Sequence, residues 1–211
     1  ILPGTKNTME DLTWLRESGM EAAIQKEASR GKIIFGVCGG YQMLGETLSD
    51  PEGVEAGGSM RGMGLLPMDT VFAGQKTRTR VKGMFQSGEG QLEELNGVSL
   101  EGYEIHMGVS SLREGARALT RIRDFAATRQ EKLDGACREN VYGTYVHGVF
   151  DREAVAQAVV RALGRRKGID AGAIAGVDFR KFKETQYDIL AAELRKHLDM
   201  ERIYEILKEG L

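Results

Sequence analysis

The feature that most constrains the fold is a short apolar run that leads directly into a glycine-rich turn. Residues 32–37 (KIIFGV) are apolar and partly β-branched, which is typical of a strand buried on both faces of a parallel sheet. Cys38 follows at once, and the segment from about Gly40 to Leu48 predicts a helix. A strand, a sharp turn and a helix in direct succession indicate an α/β domain.

The rest of the chain continues this alternation. Residues 8–30 have helical periodicity, with Thr8 and Asp11 as a capping box. The glycine-rich segment 53–109 predicts strands and loops. Five further segments are predicted, with 118–122 and 141–146 as strands, and 152–163 (capped by Asp151), 179–194 and 200–207 as helices. The order predicts a mostly parallel sheet flanked by helices.

Composition limits the possible functions. The 211 residues are 41% hydrophobic, and 29 Lys and Arg oppose 31 Asp and Glu, as in one ordinary globular domain. A net charge of −2 without a basic cluster argues against nucleic acid as a partner. No apolar run approaches the roughly 20 residues that cross a bilayer, so we expect a soluble domain without a membrane partner.

The opening Ile-Leu-Pro-Gly resembles the end of a buried strand, and we expect earlier strands and an upstream domain to precede it.

Cysteine and histidine are scarce. The sequence has two cysteines and three histidines and contains no CxxC, HxxxH or HExxH motif, so we predict no metal site. We expect Cys38 and Cys137 to be reduced thiols, and Cys137 to be an inert core or strand residue. His197 stands near a predicted helix end, where a structural role is favoured.

Cys38 and His147 are the candidate catalytic pair. Glycines on both sides of Cys38 permit the strained turn of a nucleophile elbow, and a helix N-terminus there favours a thiolate by about 0.3–1 kcal/mol. That is less than one pKa unit, so a base is required. His147 follows the strand at 141–146 and can act as that base. The alternatives are a small buried core cysteine and a strand-end histidine bonded to a carbonyl.

Backbone donors for an oxyanion are also present. The N–H of Gly39, directly after Cys38, is in the usual position for one donor. Gly4, in the turn after the opening strand, is a candidate for the second donor, although a simple turn glycine is the alternative.

At these residues the chain resembles the class I glutamine amidotransferases, because Gly36, Cys38, Gly40 and Gln42 match their motif G-x-C-x-G-x-Q. The resemblance implies a flavodoxin-like α/β fold. It also implies that Cys38 is acylated by glutamine and that Gly39 and Gly4 bind the oxyanion.

The same resemblance assigns the residues around the bound glutamine. Gln42 would support glutamine, and Tyr103, His106 and Gly108 would lie where its amino-acid end is held. A strand histidine satisfied by local partners is an equal alternative for His106.

One departure from the class narrows the resemblance. Most members carry a glutamate two residues after the histidine, whereas Gly148 and Val149 follow His147 here. This is similar to the cobalamin-type subfamily, which works with a Cys–His pair. What orients His147 is left open, with Asp151 as a weak substitute. The similarity covers nearly the whole chain, through LPGTKNT (2–8), GMGLLP (62–67), YGTYVHGVFD (142–151) and LDMERIY (198–204).

Members of this subfamily join the domain to an upstream ATP-binding synthetase domain, which uses ATP and Mg²⁺ to amidate corrinoid carboxylates with ammonia from glutamine. No GxxxxGK[ST] motif occurs here, so the resemblance implies the ammonia-producing part alone, spanning residues 1–211 with C-terminal helices at 177–211. We expect it to need no cofactor of its own and to be cytoplasmic. The alternatives are a sibling enzyme that amidates cobyrinic acid or a peptidoglycan glutamate, and a catalytically silent domain that binds a partner.

Overall fold

The computed structural model describes residues 1–86, 90–125, 131–170 and 179–210. Helices and strands alternate irregularly along the chain. In order they are α1 (Thr8–Glu17), α2 (Met20–Ser29), β1 (Ile34–Val37), α3 (Gly39–Met43), β2 (Thr47–Asp50), β3 (Gly58–Arg61), β4 (Met68–Phe85), a 3₁₀ turn (Glu93–Leu95), β5 (Ser99–Leu112), β6 (Thr120–Asp124), β7 (Glu131–Asp134), β8 (Ala136–Arg138), β9 (Val141–Thr144), β10 (Val146–His147), α4 (Glu153–Lys167), α5 (Phe179–His197) and α6 (Met200–Glu209).

The described strands form two sheets. The smaller has the order β1-β9-β8, with β1 and β9 parallel and β8 antiparallel to β9. Leu2 extends it beside β1, because its N–H donates to Phe35 O (2.8 Å) and its carbonyl accepts from Val37 N–H (2.9 Å). The larger has the order β10-β5-β4-β2-β3, with β6 on β4 and β7 on β6.

The smaller sheet is covered on both faces, as parallel strands require. Ile34 and Val141 belong to a core cluster with Leu12 of α1. Their neighbours Phe35 and Tyr142 belong to a second cluster with residues of α4. Successive residues of a strand point to opposite faces, so the two clusters lie on either side of the sheet.

The α/β class is confirmed, and segment 53–109 forms strands and loops as expected. Both parallel and antiparallel pairs occur in these sheets, however, so the expectation of a mostly parallel sheet is corrected. Parallel pairing joins β1 to β9 and β2 to β4, whereas the long strands β4 and β5 pair antiparallel. These two strands follow each other along the chain, and a direct connection favours antiparallel neighbours.

The predicted helix at 8–30 is two helices. Gly19 adopts a left-handed conformation with φ 77° and separates α1 from α2. The N-cap of α1 is Asn7, whose side chain accepts from Glu10 N–H (3.2 Å), rather than Thr8. The helix after Cys38 ends at Met43, and part of the remaining predicted helix forms β2 instead.

The predicted strand at 141–146 is divided at Tyr145. Its first part, β9, belongs to the smaller sheet, and β10 belongs to the larger sheet. The chain therefore passes from one sheet to the other immediately before His147.

The C-terminal helices form as predicted, although residues 177, 178 and 211 lie outside the described part. The N-cap of α4 is Arg152 rather than Asp151, whose carboxylate accepts a hydrogen bond from Lys183 Nζ (3.1 Å) instead. Within the described residues, no helix combines the length and apolar character that spanning a membrane requires.

Candidate active site

Cys38 stands on a strained turn between β1 and α3. Its φ of 52° and ψ of −114° lie in a region that residues with a side chain rarely adopt. Such strain occurs preferentially at functional sites. Gly36 and Gly40 make the turn possible, because a Cβ on Gly36 would lie 2.7 Å from Gly40 O, and one on Gly40 would lie 2.7 Å from Pro3 O. Close backbone packing therefore explains both glycines.

Neighbouring parallel strands bring Cys38 and His147 together. Val37 at the end of β1 is opposite Thr144 at the end of β9, and Cys38 N–H donates to Thr144 O (2.9 Å). The chain then continues to His147. A Cβ built on Gly4 would lie 2.8 Å from His147 Cε1 and 3.5 Å from Cys38 Cβ. The thiol-bearing and imidazole side chains thus converge beside Gly4.

The backbone of Ile105 on β5 contacts both side chains. The thiol of Cys38 donates to Ile105 O over 3.5 Å. A hydrogen bond with the same backbone raises the pKa of His147. Nothing in the sequence singles out Ile105, because its contribution comes from the main chain.

Burial controls the protonation of both groups. Burial raises the pKa of the Cys38 thiol, the Gly39 N–H lowers it, and the charge of Glu55 raises it again. Burial also lowers the pKa of His147, and His106 lowers it further. Thiol and imidazole are therefore both neutral near pH 7. The Gly39 N–H at the start of α3 lowers the pKa of the thiol, in the direction expected of a helix N-terminus, but burial raises that pKa more, and a base is still required.

The two candidate oxyanion donors flank Cys38. The N–H of Gly39 forms a hydrogen bond with the Cys38 sulfur. A side chain on Gly39 would collide with Thr5, so the Gly4–Thr5 turn packs directly against the elbow. Both glycines thus lie beside Cys38.

Gln42 is buried and bonded entirely within the protein. Its Nε2 donates to Met107 O (3.0 Å) and to Tyr145 Oη (3.2 Å), and its Oε1 accepts from Thr8 Oγ1 (3.0 Å). These bonds fix α3 against β5. That Gln42 supports bound glutamine stays a prediction. The side chain of Gln42 already bonds within the protein, which indicates that such support acts indirectly, through the backbone of Met107 that Gln42 holds.

Of the three candidates on β5, Tyr103 has a ring contact with the candidate base His147. Its ring lies parallel to that of His147, with 5.1 Å between centroids and 2° between planes. His106 instead stacks on Tyr145, at 3.7 Å, and its Nδ1 lies 3.2 Å from Gly108 O. His106 is therefore satisfied by local partners, which agrees with the alternative of a strand histidine without a role in substrate binding. Gly108 adopts φ 89° and packs against β4.

Sequence reasoning missed Glu55 and assigned Thr8 only to a helix cap. Glu55 Oε2 accepts from the N–H groups of Thr8 (2.8 Å) and Met9 (3.3 Å), and its charge acts on Cys38. Thr8 lies in the LPGTKNT segment, which was a usable signal, whereas Glu55 lies in a glycine-rich loop without one.

The remaining cysteine and histidine are outside this site. Cys137 is buried in β8, and no disulfide joins it to Cys38. His197 is exposed at the end of α5, 3.7 Å from Glu193. In the ranges that the structure describes, no three His, Cys, Asp or Glu side chains are grouped to hold a metal ion.

An elbow cysteine, a facing histidine and an α/β fold together define a glutamine amidotransferase domain. The sequence profile of the CobB/CobQ-like glutamine amidotransferase domain matches residues 1–155, and the chain belongs to this family. One crystal structure of a glutamine amidotransferase shares the fold, with a TM-score of 0.51 and 19% identity over 79% of this chain and 77% of that one.

Curated relatives match beyond the family profile. The chain is 49% identical over 212 residues to a cobyric acid synthase of Ruminiclostridium cellulolyticum, and 46% identical over 218 residues to that of Lachnoclostridium phytofermentans. Both matches cover 100% of this chain but 41% and 42% of the relatives. The chain thus spans about two fifths of their length.

Proposed function

We propose that this chain is the glutaminase domain of a cobyric acid synthase. It hydrolyses glutamine at Cys38, and the ammonia is used for ATP-dependent amidation of carboxylates of adenosylcobyrinic acid a,c-diamide in cobalamin biosynthesis. The observation that carries the chemistry is the convergence of Cys38 and His147 on Gly4. Support for the acceptor comes from the similarity to cobyric acid synthases over the whole chain.

The neutral resting pair indicates how the first half of the reaction proceeds. His147 removes the thiol proton as the Cys38 sulfur attacks the side-chain amide carbon of glutamine. The tetrahedral oxyanion is stabilised by the N–H groups of Gly39 and Gly4. The imidazolium then gives its proton to the departing nitrogen, the C–N bond breaks, and ammonia leaves a γ-glutamyl thioester on Cys38.

Water completes the cycle. His147 takes a proton from a water molecule as its oxygen attacks the thioester carbon. The second oxyanion is stabilised by the same backbone donors and collapses with cleavage of the C–S bond. The proton returns from His147 to the sulfur, so glutamate is released and the thiol is restored.

Activation of the acceptor belongs to another part of the protein. We expect ATP and Mg²⁺ to bind to an upstream synthetase domain, and the corrinoid to react there. Residues 1–211 form the amidotransferase domain in this proposal, with α5 and α6 as its C-terminal helices. Both helices lie beyond the family profile but within the match to the cobyric acid synthases. We also expect the protein to act in the cytoplasm.

Diazo-oxo-norleucine, a glutamine analogue with an electrophilic carbon, tests the glutaminase chemistry. In the full-length protein it should label Cys38, as located by peptide mass spectrometry, and Cys38→Ala should remove the label. Cys137→Ala is the matched control and should be labelled normally. Label at another residue, or none, contradicts the mechanism and favours the catalytically silent alternative.

Acceptor specificity requires a second experiment. The full-length protein with glutamine, ATP and Mg²⁺ should amidate adenosylcobyrinic acid a,c-diamide, as seen in the product masses. Amidation of cobyrinic acid or of a peptidoglycan glutamate instead would assign the chain to a sibling enzyme while leaving the glutaminase assignment intact.

A further inference from the structure

The orientation of His147 has no acidic residue to account for it. Val149 occupies the position, two residues after His147, where most class I amidotransferases carry a glutamate. The Asp151 carboxylate accepts from Lys183 Nζ (3.1 Å), and its N–H donates to Gly148 O (2.9 Å). His147 Nε2 is buried and has no hydrogen-bond partner among the described residues. The ring keeps a hydrogen bond with the Ile105 backbone, but a single bond does not fix the plane of the ring, so a further contact is needed.

Strand β5 provides that contact. Tyr103 is the direct partner of His147 in the antiparallel pairing of β5 with β10. Their rings are parallel within 2°, with centroids 5.1 Å apart. Gly102 permits this approach, because a side chain there would collide with His147 O. The backbone of His147 is thus fixed against Gly102 and its ring against Tyr103.

We propose that Tyr103 is a positioning residue that orients His147 by ring stacking, in the place of the missing acid. This inference rests on the proposed function, in which His147 is the base. It differs from the role that the family resemblance implied for Tyr103, which was contact with the amino-acid end of glutamine.

The ring of Tyr103 can perform both tasks of a carboxylate. Offset parallel stacking restricts rotation of the imidazole, which keeps it directed at Cys38. The electron-rich face also attracts the positive charge that forms when His147 accepts the thiol proton. Tyr103 is 45% exposed. Among the described residues its hydroxyl has no recorded partner, so the ring alone carries the proposed effect.

Three variants of the full-length protein test this. Tyr103→Phe keeps the ring, Tyr103→Ile removes it with a residue that suits a strand, and Tyr204→Leu on α6 is the control for loss of an exposed tyrosine. We expect Tyr204→Leu to keep wild-type glutaminase kcat, and Tyr103→Phe, which retains the ring, to recover the kcat that Tyr103→Ile loses. Tyr103→Ile should lose about tenfold in kcat with KM within about twofold, because orientation is lost while glutamine still binds.

The pH profile separates positioning from a general structural effect. Stacking favours imidazolium, so its loss should move the acid limb of kcat/KM to lower pH in Tyr103→Ile and not in Tyr103→Phe. The titratable groups that face His147 in the described part of the chain are Cys38, from the elbow, and Tyr103 and His106, from β5. Only Tyr103 changes among these variants. A thermal melt should show that Tyr103→Ile remains folded.

Two results would overturn the inference. Wild-type kcat and an unchanged acid limb in Tyr103→Ile would show that the ring does not orient His147. A raised KM with normal kcat in Tyr103→Ile would assign Tyr103 to substrate contact rather than to positioning of His147. Failure of the proposed function is distinguishable, because it would appear as absence of diazo-oxo-norleucine label on Cys38 in the wild-type protein.

Discussion

The backbone amide of Cys38 donates a hydrogen bond to the carbonyl oxygen of Thr144 (2.9 Å), so the candidate nucleophile is joined directly to the strand that leads to His147. The side chain of Thr144 in turn donates to the buried carboxylate of Asp134. The distance between thiol and imidazole therefore depends on hydrogen bonds formed by residues that do not contact the substrate.

Asp134 is the first of these residues to test. Its carboxylate accepts from Thr120 Oγ1 (2.9 Å), Thr144 Oγ1 and Tyr145 N–H (3.2 Å). In Asp134→Ala the Thr144 hydroxyl and the Tyr145 N–H lose this acceptor, while Thr120 Oγ1 keeps the carbonyl oxygen of residue 134 (3.3 Å). The free energy of unfolding should therefore fall by about 2 to 4 kcal/mol in urea titration. Asp134→Asn keeps one acceptor oxygen and should lose less. Equal stability of Asp134→Ala and the wild type would contradict this.

Glu55 is predicted to suppress ionisation of Cys38. Its charge raises the pKa of the thiol, and in Glu55→Gln that charge is absent while an acceptor oxygen for Thr8 remains. The pKa of Cys38 should therefore fall, and alkylation by iodoacetamide at pH 8 should accelerate by roughly twofold. Peptide mass spectrometry gives the rate at Cys38 separately from that at Cys137.

The matched control for this charge effect is Glu17→Gln, which removes an exposed carboxylate at the end of α1. Glu17→Gln should leave the rate of Cys38 alkylation at pH 8 unchanged. A rate in Glu55→Gln that is equal to or lower than that of the wild type would show that the charge of Glu55 does not act on the thiol.

Gly40 should not tolerate a side chain. The added Cβ of Gly40→Ala would lie 2.7 Å from Pro3 O, which is backbone and cannot move away without displacing the turn at Gly4. We expect a loss of about 1–3 kcal/mol in stability and a larger proportional loss of glutaminase activity. Gly74→Ala is the control, since its Cβ would meet only Glu52 Oε2 at 3.4 Å. Similar effects of both substitutions would refute the packing explanation.

Gln42 should require its amide nitrogen. In Gln42→Glu an ionised carboxylate would face Met107 O, which accepts a hydrogen bond from Gln42 Nε2 (3.0 Å). Buried acceptors without a donor are unfavourable, so stability should fall by about 1–3 kcal/mol and kcat should fall with it. Gln186→Glu on the exposed face of α5 makes the same chemical change and should have little effect. Normal kcat in Gln42→Glu would show that this bond does not support the site.

Local sequence signals predicted the elbow because its requirements are local. A β-branched apolar run, then Cys38 between glycines, specifies a strand and a strained turn whatever the rest of the chain does. The α/β class followed for the same reason. Gly19 marks the end of α1. The apolar stripe through residues 8–30 continues across this glycine, so the sequence predicted one helix instead of two.

Features that depend on distant partners were not predictable in this way. The run at 141–146 has the pattern of one strand, and its division at Tyr145 follows from pairing of β9 with β1 and of β10 with β5. The contribution of Ile105 comes from a carbonyl group that every residue possesses. The stacking of Tyr103 on His147 depends on the register of β5 with β10, which neither segment specifies alone.

Burial of the Cys38 sulfur has a consequence for the lifetime of the domain. Peroxides attack thiolates far faster than thiols, and exposed sulfur faster than enclosed sulfur. Cys38 is only 5% exposed, and burial raises its pKa. In the absence of substrate the sulfur is therefore a poor target for oxidants, and in the proposed mechanism it becomes strongly nucleophilic only when His147 removes its proton.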